Sequence, residues 1–207
     1  MKKNFVFILV LLFLTVFISG CINILPTLED DSIAPGKGRL KIYLTDAPGD
    51  YLEVNITISR IEAHIAGEDD DSEGYWVVLK EWSNGVEPTF DLIKLQDVSE
   101  LLVEGFFDAG KYTQIRLFVT QASILVEIEG TVAENNKGIE VTNEVPFDTY
   151  DVNIPSAYQT GIKLIHPFEI IEGEETELII DFDAEKSIVK TGNGRYILKP
   201  TIKVITN

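Results

Sequence analysis

A chain of 207 residues, 45% hydrophobic and 25% charged, has the size and balance of one globular domain with a short appendage, which excludes a disordered polypeptide. Thirty-four acidic residues against 17 basic ones leave a net charge of −17, a field that repels phosphate backbones and excludes nucleic acid as a partner. Such a field suits cations, basic proteins or neutral polymers, and it keeps an exterior domain soluble.

The N-terminus carries Lys2 and Lys3, then an apolar run from Phe5 to Ile18, then Ser19, Gly20 and Cys21. Charged, apolar and small residues in that order are the layout of a secretory signal, here residues 1–20. The run rises only about 21 Å as a helix, short of the roughly 30 Å hydrocarbon core, so a signal fits better than a membrane span. Ile18-Ser19-Gly20-Cys21 resembles the lipobox of prokaryotic lipoproteins, which implies cleavage before Cys21 and a lipid on its thiol. Cys21 is the only cysteine, so no disulfide can form within the chain. The alternative is an uncleaved N-terminal anchor helix. Loss of Lys2 and Lys3 with the signal would take the net charge from −17 to −19. The expected address is extracytoplasmic, at the outer face of the cytoplasmic membrane or another membrane of the cell envelope.

Residues 21–38 hold Pro26, Pro35, Gly36 and Gly38 among like charges, and read as a flexible tether. A single domain follows over residues 39–207. Its hydrophobic period is two almost throughout. Leu40, Ile42 and Leu44 alternate with polar neighbours, and so do Leu52, Val54, Ile56 and Ile58. The parity then changes to Ile61, Ala63 and Ile65, which places a β-bulge near Ser59 and Arg60. A similar change after Val119 predicts that a strand bends or crosses between sheets around Gln121 to Ser123. Further strands are expected over Tyr75–Trp82, Gly161–Ile171, Glu177–Asp183 and Arg195–Ile205. One short helix is expected over Asp97–Val103, where Val98, Leu101 and Leu102 share a face and Gly105 follows. The expected fold is all-β, an antiparallel β-sandwich with one short helix.

Several segments together resemble a known family. They are Leu44-Thr45-Asp46-Ala47-Pro48, Phe90-Asp91-Leu92, Gly110 to Leu117, Thr160 to Leu164, Asp181-Phe182-Asp183-Ala184 and Gly194 to Pro200. Their order and spacing resemble the "domain of unknown function" family four-three-eight-two of archaeal and bacterial lipoproteins. The resemblance implies a lipoprotein β-sandwich, broadly like transthyretin-type or carbohydrate-binding domains. It brings no activity, cofactor or catalytic residue.

His64 and His166 are the only histidines, and no nucleophile elbow, zinc helix or phosphate loop is present, so no catalytic residue is assigned. Asp181 and Asp183, two apart on one strand, are expected to share a face. With Lys163 and Lys199 beside them they would make a cross-strand ion-pair ladder. With Asp46 they would make an oxygen-ligand site for calcium. Ile165, Ile179 and Ile197 are expected on that face too, under some cover. Trp76 and Trp82 are six apart on another strand and would form a ligand platform for sugar rings if exposed; one of them is expected in the core. The reading is therefore a lipid-anchored, non-catalytic module that binds a ligand, a glycan or an envelope protein. Alternatives are a hydrolase using paired carboxylates and a structural envelope spacer.

Overall fold

The computed structural model describes residues 33–47, 49–67, 73–83, 85–128, 147–155 and 160–206. The expected signal, Cys21, most of the expected tether and the acidic stretch 68–71 lie outside these residues. The first strands are β1 (Lys37–Asp46), β2 (Glu53–Ile65), β3 (Tyr75–Glu81) and β4 (Thr89–Asp91). A 3₁₀ turn (Leu92–Leu95) leads to β5 (Glu100–Asp108), β6 (Gly110–Glu127) and β7 (Phe147–Asn153). Then come β8 (Ile162–Leu164), β9 (Phe168–Ile170), β10 (Glu175–Phe182), helix α1 (Ala184–Ser187), β11 (Ile188–Lys190), β12 (Tyr196–Leu198) and β13 (Ile202–Thr206).

Alternation sorts these strands into two sheets over one core. The smaller sheet has the order β13-β10-β1-β5. The larger runs β11-β12-β7-β6-β2-β3, with β4 beside β2 and with β8 and β9 beside β6. Leu40, Ile42 and Leu44 of β1 and Leu178, Ile180 and Phe182 of β10 are fully buried. They belong to one apolar cluster with Val54, Ile56 and Ile61 of β2 and Ile115, Leu117 and Ile124 of β6. The fold is an all-β sandwich, as expected. It is not purely antiparallel: β1 pairs with β10, and β12 with β7, in parallel. Alternation tells which face a residue takes but not which strand lies beside it. Only a hairpin forces two strands to run oppositely.

Bulges explain the parity changes. The β2–β6 register slips on both sides of Ile58, so Ile58 and Ile61 both point inward. The same slip leaves Thr120 without a partner between Val119 and Gln121. Strand β6 does not cross to the other sheet there, because it stays paired with β2 as far as Leu125. Two expected strands are each split at a proline, which has no N–H to give to a ladder. Pro167 separates β8 from β9, and Pro200 separates β12 from β13 as the chain passes from one sheet to the other.

The helix expected over Asp97–Val103 is absent; Glu100–Asp108 is an edge strand against β1. A register shift opposite Ile42 and Tyr43 turns both Leu102 and Val103 inward. Of the three residues read as one helical face, only Leu102 points inward, while Val98 and Leu101 are exposed. The short helix lies at Ala184–Ser187 instead, capped by Asp183, whose side chain accepts the Lys186 N–H at 3.0 Å. Ile165, Ile179 and Ile197 do not share a face. Ile165 is 84% exposed after β8, Ile197 belongs to the larger sheet, and Ile179 stands in the smaller one. Ile179 is part of a row across that sheet, Leu101–Tyr43–Ile179–Ile205, with Lys41 and Glu104 on one side of it and Asp181 and Lys203 on the other.

Ile42→Ala is expected to lower unfolding free energy by about 2–5 kcal/mol, because it opens a cavity in the middle of β1. Ile165→Ser should change it by no more than about 0.5 kcal/mol. Chemical denaturation of both variants checks the pair, and equal costs would contradict the described core.

Candidate functional site

The three aspartates singled out in the sequence do come together, but as a clasp. Thr45 of β1 lies across from Asp181 of β10, and Asp46 lies across from Phe182. The chain then turns into α1, and the Ala184 N–H donates to Asp46 Oδ1 at 2.8 Å. Asp46 is only 4% exposed, and its Oδ2 is buried with no hydrogen-bond partner among the described residues. Burial pushes its pKa up to about 7, aided by the charges of Asp183 and Asp181 and opposed by the N–H groups of Ala184 and Ala47. Asp183 is in the opposite condition. Burial disfavours its charge, yet hydrogen bonds from the Lys186 side chain and N–H, with the Lys186 charge, lower its pKa. Lys186 Nζ lies 2.6 Å from Asp183 Oδ2.

The ladder partners differ from those expected. β10 is flanked by β1 and β13, so Lys203 faces Asp181. Lys163 instead lies across from Arg116 in the larger sheet, and Lys199 follows β12. Among the described residues, no group of three His, Cys, Asp or Glu is arranged to hold a metal ion.

The two tryptophans are both half-buried, and they face different surroundings. Trp76 is covered on the outer face of the larger sheet: Arg116 Cζ lies 3.6 Å from its ring centroid, and the His64 ring meets it edge-on at 5.1 Å. His64 is held in turn by Thr113 Oγ1 at 3.0 Å from its Nδ1. Trp82 follows β3, gives its backbone N–H to the Ser59 carbonyl at 2.9 Å, packs its ring against the core with Lys80 Nζ 5.7 Å from the centroid, and borders an open groove.

That groove is the feature sequence reasoning missed. It runs over the outer face of the larger sheet as two adjoining hollows of about 590 and 620 Å³. They share Thr57, Thr89, Thr120 and Gln121. One hollow extends to Ser123 and Asn153, and the other to Ser59 and Trp82. The bulges in β2 and β6 lie at its centre, where added twist re-aims side chains. The centre shared by the two hollows is uncharged and polar, while Asp151 lines one end and Arg60, Glu81 and Glu87 line the other. The Thr57 and Thr89 hydroxyls bond to each other at 2.7 Å, while Gln121, Ser123 and Asn153 have no side-chain partner among the described residues. One signal was available: Asn55, Thr57 and Ser59 on one strand and Thr120, Gln121 and Ser123 on another are uncharged, in a chain rich in outward charge.

Residues 37–200 match the family described as Domain of unknown function (DUF4382). The chain belongs to that family. No curated protein and no solved structure matches it.

Within this DUF4382 domain, two of the segments that carry the resemblance meet in the clasp, one bearing Asp46 and the other Asp181 and Asp183. The groove floor at Thr120 to Ser123 lies outside the resembling segments. None of the three aspartates lines the groove.

Two outcomes test the clasp of the DUF4382 domain. The folded chain holds the Asp46 proton more tightly than the unfolded chain, whose carboxyl titrates near 3.8. This contribution is therefore complete below about pH 4, falls as pH rises toward 7, and is flat above that, at about 1.4 kcal/mol per unit of pKa difference at most. Asp46→Asn keeps an acceptor for Ala184 and carries no charge. Its melting temperature should gain on the unmutated protein between pH 4 and 7, and parallel curves would contradict the buried acid. Calcium is expected to leave the melting temperature unchanged, since it would have to displace Lys186 and the Ala184 N–H. A ligand at about 100 times its dissociation constant adds about 2.7 kcal/mol, so a shift abolished by Asp183→Asn would reveal a metal site.

Proposed function

We propose that this protein is a lipoprotein held through Cys21 at the outer face of a cell-envelope membrane, where its β-sandwich acts as a non-catalytic binding module. The carrying observation is the open groove over the bulges of β2 and β6, lined by Gln121, Ser123 and Asn153, whose side chains have no partner among the described residues. The address is supported by the basic, apolar and small-residue order that ends at Cys21. Net charge supports a partner other than nucleic acid.

The non-catalytic reading is supported by how the carboxylates are used. Glycoside hydrolysis needs two carboxyl groups about 5–9.5 Å apart across an open cleft. Asp46 is buried under α1, and Asp183 is held by Lys186. A carboxylate-dependent hydrolase has no comparable support, and a passive spacer gives no reason for the polar groove.

One experiment addresses both halves. The full chain is expressed in a prokaryotic host beside Cys21→Ser and Ser123→Trp, the last filling the groove. Intact mass should give a lipidated N-terminus at Cys21 in the parent chain and neither lipid nor cleavage there in Cys21→Ser. The parent chain should retain material from cell-envelope extract that Ser123→Trp does not. A mature N-terminus elsewhere would remove the anchor, and identical retention by both chains would remove the groove.

A further inference from the structure

We infer that the occupant of the groove is an uncharged glycan chain, laid across β4, β2, β6 and β7 between Trp82 and Asn153. This rests on the binding-module reading and names its ligand class. The side chains without partners among the described residues, Gln121, Ser123 and Asn153, are amides and a hydroxyl, each able both to donate and to accept. Their best complement is a ligand that does the same at many points, which describes a sugar hydroxyl. A carboxylate only accepts and an ammonium only donates, so either would waste half of this floor.

Charge points the same way. Arg60 is the basic residue of the groove wall, and it is already paired with Glu62 at 3.1 Å and Glu81 at 3.7 Å. Asp151, at the other end, and the net charge of −17 repel an anionic polymer. Backbone pairing argues against an extended peptide. β4, β2, β6 and β7 are bonded to one another beneath the groove, so no free ladder edge runs along it for a peptide strand to join. Crossing these strands takes three spacings, about 14 Å, enough for a short linear stretch of sugar rings. Half-buried Trp82 borders one end, its ring packed against the core and 5.7 Å from Lys80 Nζ, so the polar floor rather than an aromatic platform carries the recognition.

The test uses the full chain in a detergent that carries no sugar, titrated calorimetrically. Probes are linear hexamers of glucose, mannose and N-acetylglucosamine, with the galacturonic acid hexamer as acidic counterpart. At least one uncharged hexamer should bind, more tightly than the acidic one. Gln121→Ala with Ser123→Ala should weaken it about tenfold, the loss expected for one or two hydrogen bonds. Neither side chain has a partner among the described residues, so the melting temperature should stay unchanged and serve as the folding control. Preference for the acidic hexamer, or binding indifferent to the double variant, would overturn the proposal. So would no sugar binding by a chain that still retains envelope protein through the groove, an outcome that leaves the binding-module reading standing. Loss of both kinds of binding would end both.

Discussion

Parallel pairing of β1 with β10 joins the beginning of the described chain to its end, and the smaller sheet is organised around it. β1 is central in that sheet, with β10 on one side and β5 on the other, and it sends Leu40, Ile42 and Leu44 into the core. The larger sheet packs its own inward row against those residues. At the far end of the pair the chain must leave β10 and reverse, and α1 forms where it does so. Asp183 caps that helix, while Asp46 reaches from β1 to its first N–H. A buried acid is costly unless it is neutral or well bonded, and Asp46 answers with a raised pKa and one short hydrogen bond. The carboxylates that look most like chemistry in the sequence are thus explained by the closure of the sandwich.

The strands read from the sequence were legible because burial on one face imposes a period of two, whereas β4, β5, β7 and β11 were not read as strands. Leu40, Ile42 and Leu44 needed nothing else. The β2 bulge was legible for the same reason, since Ile58 and Ile61 cannot both be inward on a regular strand. Partnership was not legible. Nothing near Asp181 in sequence says that Lys203 rather than Lys163 stands beside it, because strand order is decided by packing over the whole chain. The false helix at Asp97–Val103 came from apolar residues that do not share a face: a register shift in β5 turns Leu102 and Val103 inward and leaves Val98 and Leu101 exposed.

The groove was harder to see than the aspartates because it is written in residues that sequence reading passes over. Threonine, serine, glutamine and asparagine have no titration and no motif to betray them. They line a groove only because bulges in β2 and β6 fall opposite each other and gather Thr57, Thr120 and Gln121 into one hollow. The aromatic pair shows the converse. Trp76 looked like a platform, yet Arg116 stacks on it and His64 abuts its edge, so its surface is largely occupied within the fold.

The β1–β10 pairing has a further consequence for how the polypeptide is made. A chain synthesised from its N-terminus presents β1 first, and that strand must wait for β10, with the whole of β2 to β9 in between. During that interval its ladder on the β10 side is unclaimed, and its apolar face is a surface on which neighbouring chains could pair. The outward face of β1 carries Lys37, Arg39 and Lys41, three positive charges in five residues of a strongly acidic polypeptide. Charges of this kind discourage two copies of β1 from aligning, and they find their acids, Asp108, Glu104 and Glu175, only once β5 and β10 arrive. The basic rim of the first strand is thus repulsive toward its own kind while unpaired, and it is neutralised by completion of the sheet.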